Sequence, residues 1–565
     1  MLFIGFALNS IAQTPLFIPD TLVGPNYNLT IHRDSVQFFS GSMSYTYAFN
    51  VNHYFGPTLI FNKGTNVNIT VNNQIGDTTT IHWHGLHVPS KWDGGPHSLI
   101  LNNNTWNPQF TIMNDAATYW YHPHLDMKTA EQAIKGGAGL IIVRDSMEAT
   151  LQLPRSYGTD DFPIIVQCQQ YDSVNQAMPK GMQDSTLLVN GTRANNGDST
   201  FLNVPEQVVR LRLLNASGER SFNFGFSSNM HFYQIATDGG LLDTPHDTTR
   251  IRIAPGERAE ILINLNGMLG QSFYLMSYGS ELPSGIQGGP TMPMNSGPPM
   301  NSPLNGIDYN IMRFTVVGQT NNPVLSIPVS LITNTPYQEN QANATRQINF
   351  TAANDSVMDG PFYFNDSSFN MMRIDYIIPL NSIEVWTLVN STMVAHPFHL
   401  HDEQFYVLDR NGYPADASEK GKKDVILVAP YDTVRFITKF MDFADTLIPY
   451  MYHCHILMHE DDGMMGQFIV SPSAVGIKEI ANEINGITIY PNPSNGLINF
   501  RFENIKDEKV SYILTDLLGE ELICDTQSIL KGNMKIDVSS LTNGIYFLKI
   551  KTKENIFTSK IIITK

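Results

Sequence analysis

Cysteine is scarce in this chain: three in 565 residues, at positions 168, 454 and 524. Three thiols so far apart exclude the disulfide framework that staples small secreted domains. Charge is thin as well. Asp, Glu, Lys and Arg make up 15% of residues, and the net charge is −17. An acidic excess of that size argues against nucleic acid and anionic membrane surfaces as partners. No apolar run reaches the roughly 18 residues that a membrane helix needs, so no transmembrane segment is expected. Helical periodicity is nearly absent too, which excludes a helix-bundle fold. These exclusions leave a large all-β protein, too long for a single core.

Short strands broken by Gly, Pro and Asn fill most of the chain. Residues 66–71 (NVNITV) alternate with period two, and residues 139–143 (GLIIV) form an apolar run of strand length. This pattern predicts Greek-key β-sandwiches. Three such units are expected, at 20–147, 151–320 and 323–472. The strand-and-turn stretches at 211–215 and 385–390 look alike, as in diverged repeats. Cys168 follows the run 162–166 (FPIIV) and reads as an inert core thiol.

One stretch organises the chain: residues 452–465, YHCHILMHEDDGMM. A soft thiolate, two imidazoles and a distant thioether are the ligand set of a blue, electron-transferring copper. Cys454, His459 and Met464 supply three of these four, so a second histidine must come from elsewhere. His453 and His455 flank Cys454, and on a strand both project to the face opposite its thiolate. Further histidines cluster at His82 and His84, at His122 and His124, and at His396, His399 and His401. Any one HxH pair is weak evidence. Four motifs together, one carrying the cysteine, are strong.

In order and spacing these four motifs resemble those of the multicopper oxidases, over roughly residues 20–472. The resemblance implies three cupredoxin domains, with copper shared between the first and third and the second as a spacer. It also implies four coppers per chain. His396, Cys454 and His459 would hold the type 1 copper with Met464 as axial ligand, and His82 and His399 the type 2 copper. His84, His122, His124, His401, His453 and His455 would hold the type 3 pair. Electrons from a small reducing substrate would pass through Cys454, His453 and His455, and dioxygen would leave as water. Asp93, eleven residues after His82, and Glu460, directly after His459, resemble the family's proton donors. Each could equally orient a histidine. Asp461 and Asp462 read as surface charge.

The donor is expected to be a phenol or another aromatic. The alternative is Cu(I), because the Pro/Gly/Ser-rich loop 281–303 carries Met292, Met294 and Met300, and thioethers suit Cu(I). Residues 391–395 (STMVA), just before His396, hold one methionine and no aspartate, a departure from the cuprous oxidases. A reading of another class is a copper-binding or envelope scaffold without turnover, and the complete ligand set argues against it.

Residues 1–13 (MLFIGFALNSIAQ) read as a signal peptide. After a linker at 473–486, residues 487–565 form a near-neutral module expected to be a small β-sandwich. Its opening YPNPSNG and closing LTNGIYFLKI resemble the C-terminal sorting domain of the type IX secretion system. That implies the secretion machinery as a partner and an extracellular or cell-surface destination. The chain is expected to act as a monomer.

Overall fold

The computed structural model describes residues 14–50, 53–179, 183–194, 199–291, 302–353, 360–472, 487–492, 494–502, 507–516, 520–552 and 556–564. The expected signal peptide and linker lie outside these residues, as do Met292, Met294 and Met300. Residues up to 472 form one compact unit and those from 473 a second.

The first unit is built from six sheets in three facing pairs. In the first pair, the strand Asn26–Val36 runs beside Asn66–Gln74, and Ala117–His122 lies between Gly139–Arg144 and His82–His84. The expected alternation holds: Val67, Ile69 and Val71 point inward with Phe61, Phe110 and Trp83. Each such aliphatic side chain contributes about 1.5–3 kcal/mol by leaving water. A second core gathers around Phe224, Phe226, Phe273 and Phe314, and a third around Trp386, Phe398, Phe436 and Phe468. The N-terminal strand Thr14–Pro15 joins the second pair, beside Thr200–Pro205. Residues 324–332 also pack along that pair, through Leu331.

The strand Val208–Asn215 departs from simple alternation. Its sequence VVRLRLLN suggests arginines turned to water, yet Arg210 is 1% and Arg212 0% exposed. Arg210 donates to Glu148 and Glu260, and Arg212 to Asp161, Glu260 and Thr118. The polar face of the middle sandwich is therefore buried against the first, with each charge paired. The same sandwich reaches the third through Arg258, which binds Asp424 at 2.5 and 2.6 Å.

The second unit is a seven-stranded sheet wrapped around Phe500, Tyr512, Leu514, Leu548 and Ile561. Its two edges meet where Ser494 bridges Ile563. The opening motif does this work: Asn492 donates to Lys560 O and accepts from Ile562 N–H. Ser494 N–H donates to Ile562 O. Among the described residues, no helix is long and apolar enough to cross a membrane.

Candidate metal centre

The histidine motifs sit at strand ends that face one another. His82 pairs with His122, and His84 with Trp120, across the first sandwich. His399 pairs with His453, and Phe398 with Cys454, across the third. Alternation then separates the side chains into two sets. Cys454 turns into the third core, while His453 and His455 turn toward the first sandwich.

The smaller set is His396, Cys454 and His459. Cys454 Sγ lies 3.5 Å from Nδ1 of each histidine, and the two Nδ1 atoms are 3.2 Å apart. Thr392 Oγ1, 2.9 Å from His396 Nε2, fixes that ring from behind. Met464 is fully buried, and its carbonyl accepts from the Cys454 N–H at 3.1 Å. Burial pushes the Cys454 thiol up and lowers His459 to about 3.

The larger set holds eight imidazoles, each 1% exposed or less. His84, His122 and His455 converge, as do His124, His401 and His453, and His82 joins His399 and His401. His124 Nε2 and His453 Nε2 are 3.1 Å apart, and His82 Nε2 and His399 Nε2 3.4 Å. Burial, reinforced by neighbouring histidines, holds His84, His122, His124, His399 and His455 well below their ordinary range. His401 is lowered to about 3 by the same causes. These six rings are therefore neutral, with lone pairs free to bind a cation.

Both predicted acids touch rings of the larger set. Asp93 Oδ2 lies 2.7 Å from His401 Nδ1, and Asp93 O 2.9 Å from His82 Nδ1. Burial alone would raise Asp93, but His401 and His82 hold it below the usual carboxylate range. Glu460 sits between His124 Nδ1, at 3.2 Å, and His453 Nδ1, at 3.1 Å. Asp461 is not free surface charge. Its carboxylate accepts the Thr129 and Ala130 N–H groups at 2.9 and 3.0 Å, capping a helix of the first sandwich from the third.

Asp424 gives no signal in the sequence. Its Oδ1 lies 3.1 Å from His84 Nε2, and its carbonyl 2.8 Å from His399 Nδ1. The middle sandwich is also more than a spacer. Gly256, at φ +83°, packs on the His455 ring so closely that a Cβ would stand 2.8 Å from it. The described parts of the loop 281–303 are anchored. Leu282 and Ile286 pack on Ala395 and Leu427, and Ser302 is bound by Arg220.

Three observations fit these residues to copper. His401 Nε2 and both ring nitrogens of His455 are buried without a hydrogen-bond partner. The opposite nitrogens of His82, His122, His399 and His401 are held by backbone or carboxylate oxygens, as metal-bound imidazoles usually are. A thiolate among imidazoles is a soft donor set suited to copper.

Comparison with known proteins agrees. Multicopper oxidase families match residues 30–148, 164–292 and 334–474. A multicopper oxidase of Staphylococcus haemolyticus is 33% identical over 455 residues, covering 79% of this chain and 88% of that protein. The chain belongs to the multicopper oxidases. As a member it is an oxidoreductase that uses copper and takes oxygen as acceptor. Among solved structures, a laccase-like oxidase from Ochrobactrum sp., with activity towards lignin model compounds and lignosulfonate, matches with a TM-score of 0.70. It is 30% identical, covering 81% of this oxidase and all of that chain. A cell division protein, FtsP of Xenorhabdus nematophila, is 29% identical over 428 residues, covering 74% of this chain and 84% of that one. Residues 488–564 match the secretion system C-terminal sorting domain, which marks the oxidase for type IX export.

Proposed function

We propose that this oxidase takes single electrons from a phenolic or other aromatic donor at the cell surface or in the medium. In this reading four coppers bind per chain. His396, Cys454, His459 and axial Met464 hold type 1, and His82 with His399 hold type 2. His84, His122, His124, His401, His453 and His455 hold the type 3 pair. Bound copper supplies one-electron redox chemistry, so that donor oxidation is coupled to four-electron reduction of dioxygen to water.

The protein's own part is wiring, proton supply and access. What carries the reading is residues 453–455: Cys454 belongs to the small set and its two neighbours to the large one, so one peptide stretch joins them. His459 is 9% exposed, whereas the other nine site histidines are 1% or less, which makes its edge the point of contact for a donor. Asp93 and Glu460 lie within hydrogen-bond reach of ligand nitrogens and are placed to hold the protons that oxygen reduction consumes. The divisions 20–147, 151–320 and 323–472, the signal peptide at 1–13, and a monomer belong to the same proposal.

One observation favours Cu(I) as the donor instead. An open pocket beside the helix Leu457–Asp461, which carries His459, is lined by Met127, Met178 and Met458 with Glu131, Asp172, Asp461 and Asp462. Thioethers with carboxylates are suited to Cu(I). Oxygen uptake should be compared with dimethoxyphenol and with Cu(I), in wild type and in variants carrying serine at Met127, Met178 and Met458 or at Met292, Met294 and Met300. Uptake mainly with the phenol, unchanged in both variants, supports the laccase reading. Uptake mainly with Cu(I) that collapses in either variant replaces it with cuprous oxidation. A copper content of one or none per chain would remove both in favour of a scaffold.

A further inference from the structure

We propose that a cavity between the middle and third sandwiches binds a sugar acid, a single uronate unit with its carboxylate on Arg252 and its hydroxyls on the polar groups around it. The cavity measures about 480 Å³, within the range of about 300–1,000 Å³ usual for small-molecule sites. Gln234, Arg252 and Glu257 line it from the middle sandwich, and Arg410, Tyr413 and Glu419 from the third. Its walls are stitched to each other. Thr237 Oγ1 donates to Lys422 O at 2.7 Å, and Gln234 Nε2 to Ser418 O at 3.0 Å. Among the described residues no histidine lines it, so it stands apart from both metal sets.

The assignment starts from groups that lack partners. Four cations line the cavity, and three are paired at short range. Arg258 holds Asp424. Lys423 Nζ lies 2.9 Å from Asp238 and 3.0 Å from Glu257. Arg410 donates to Glu419 Oε1 and to Leu427 O, both at 2.9 Å. Arg252 is the exception. Its guanidinium makes one polar contact among the described residues, at 3.5 Å, to the same Glu419 Oε1 that Arg410 already holds. The side chain is only 32% exposed, yet one of its five N–H donors is used. A guanidinium with a free edge matches a carboxylate with two parallel bonds. An acceptor is free as well. Gln234 is 2% exposed, and its amide is oriented by the Nε2 bonds to Ser418 O and Ala236 O. That leaves Oε1 without a partner, a costly state for a buried acceptor.

A bare inorganic anion would satisfy Arg252 but not Gln234, and it would face the carboxylates of Glu257 and Glu419. Carboxylates and an amide oxygen only accept, so together they call for O–H donors. A polyol carrying one carboxylate supplies both kinds of group. Tyr413, 75% exposed, adds an apolar ring face beside these polar groups. The net charge of −17 opposes a long polyanion, so one uronate unit is expected rather than a polymer. Once bound, it would bridge Arg252 of the middle sandwich to the turn Ala417–Glu419 of the third. With no histidine in the lining, it is held and not oxidised.

The test is calorimetric titration of copper-loaded full-length protein with sodium D-glucuronate, D-glucose and cyclohexanecarboxylate. One saturable site per chain is expected for glucuronate, with glucose and cyclohexanecarboxylate each at least about tenfold weaker. Arg252→Gln should weaken glucuronate about 10–100-fold at unchanged copper content, because its guanidinium contributes so little to the unliganded fold. Tyr413→Ala should weaken it about threefold. Oxygen uptake with dimethoxyphenol should not change when glucuronate is added, which keeps the outcome independent of the donor reading. No saturable binding at about 10 mM glucuronate, equal affinity for cyclohexanecarboxylate, or an Arg252→Gln chain that binds like wild type overturns the proposal. Digalacturonate that binds as tightly as the monomer would support the site and make a chain end its source; weaker binding would make it the free acid. Crystals soaked in glucuronate decide the case without any variant: a carboxylate on Arg252 supports it, and density elsewhere overturns it.

Discussion

Arg258 is the side chain whose loss should be felt most. Its guanidinium offers five N–H donors, and all five are used. Nε donates to Thr118 O at 3.0 Å, and Nη1 to Gly256 O at 3.1 Å and Asp424 Oδ1 at 2.5 Å. Nη2 donates to Asp238 O at 2.9 Å and Asp424 Oδ2 at 2.6 Å. These partners come from all three sandwiches, and the side chain is fully buried. Arg258→Met keeps the bulk but leaves the Asp424 carboxylate buried without its cation. Removing one partner of such a pair costs about 3–5 kcal/mol, against a total stability of about 5–15 kcal/mol. Arg258→Lys retains the charge with three donors at most, so about half that loss is expected. Lys63→Met serves as a control, because the Lys63–Asp115 pair is 42% exposed on its lysine side and should cost under about 1 kcal/mol. Urea unfolding followed by circular dichroism compares the three. An Arg258→Met chain within about 1 kcal/mol of wild type would refute the claim that this guanidinium holds the sandwiches together.

Three further outcomes are expected. Gly256→Ala drives a methyl group into the His455 ring, so copper in the larger set should fall while the blue absorption of Cys454 persists; full copper content at both would contradict the packing argument. Asp93→Asn and Glu460→Gln should each lower oxygen consumption about 10²–10⁴-fold at unchanged copper content, and equal rates would reduce both acids to orienters of histidine. His53 stacks on Phe17, and burial lowers it to about 4 from 6.5. Its folded pKa lies below its unfolded one, so its stabilising effect is present above pH 6.5 and lost as pH falls toward 4. The limit is about 3 kcal/mol, less for a ring only partly buried. His53→Gln in copper-loaded protein should flatten that acid limb, and an unchanged limb would exclude this histidine as its source.

Much of this was legible in the sequence, because it depends on local pattern. Strands with period-two alternation, such as 66–71, fold as read, and the histidine pairs mark their own strand ends. The all-β class and the copper motifs follow from these. What could not be read depends on partners hundreds of residues away. Arg210 and Arg212 alternate like surface residues, and only docking against Thr118 and Glu148 makes them interior. Asp424 lies in an unremarkable stretch and meets His84 only in space. Asp461 looked like one of a run of exposed acids until it met a helix N-terminus of the first sandwich. His87 carries no motif, and its three carboxylate partners, Asp402, Glu403 and Asp442, come from the third sandwich.

The stitching of Asn492 and Ser494 to residues 560–564 makes the sorting module depend on both of its ends. Two residues of the sorting module's first motif, Asn492 and Ser494, find partners in the strand Ile556–Ile563. A chain cut or stalled a dozen residues early would hold the whole copper-binding unit and yet lack a closed address. Closure of the module therefore depends on the strand Ile556–Ile563, and its loss would open the module while leaving the copper-binding fold untouched.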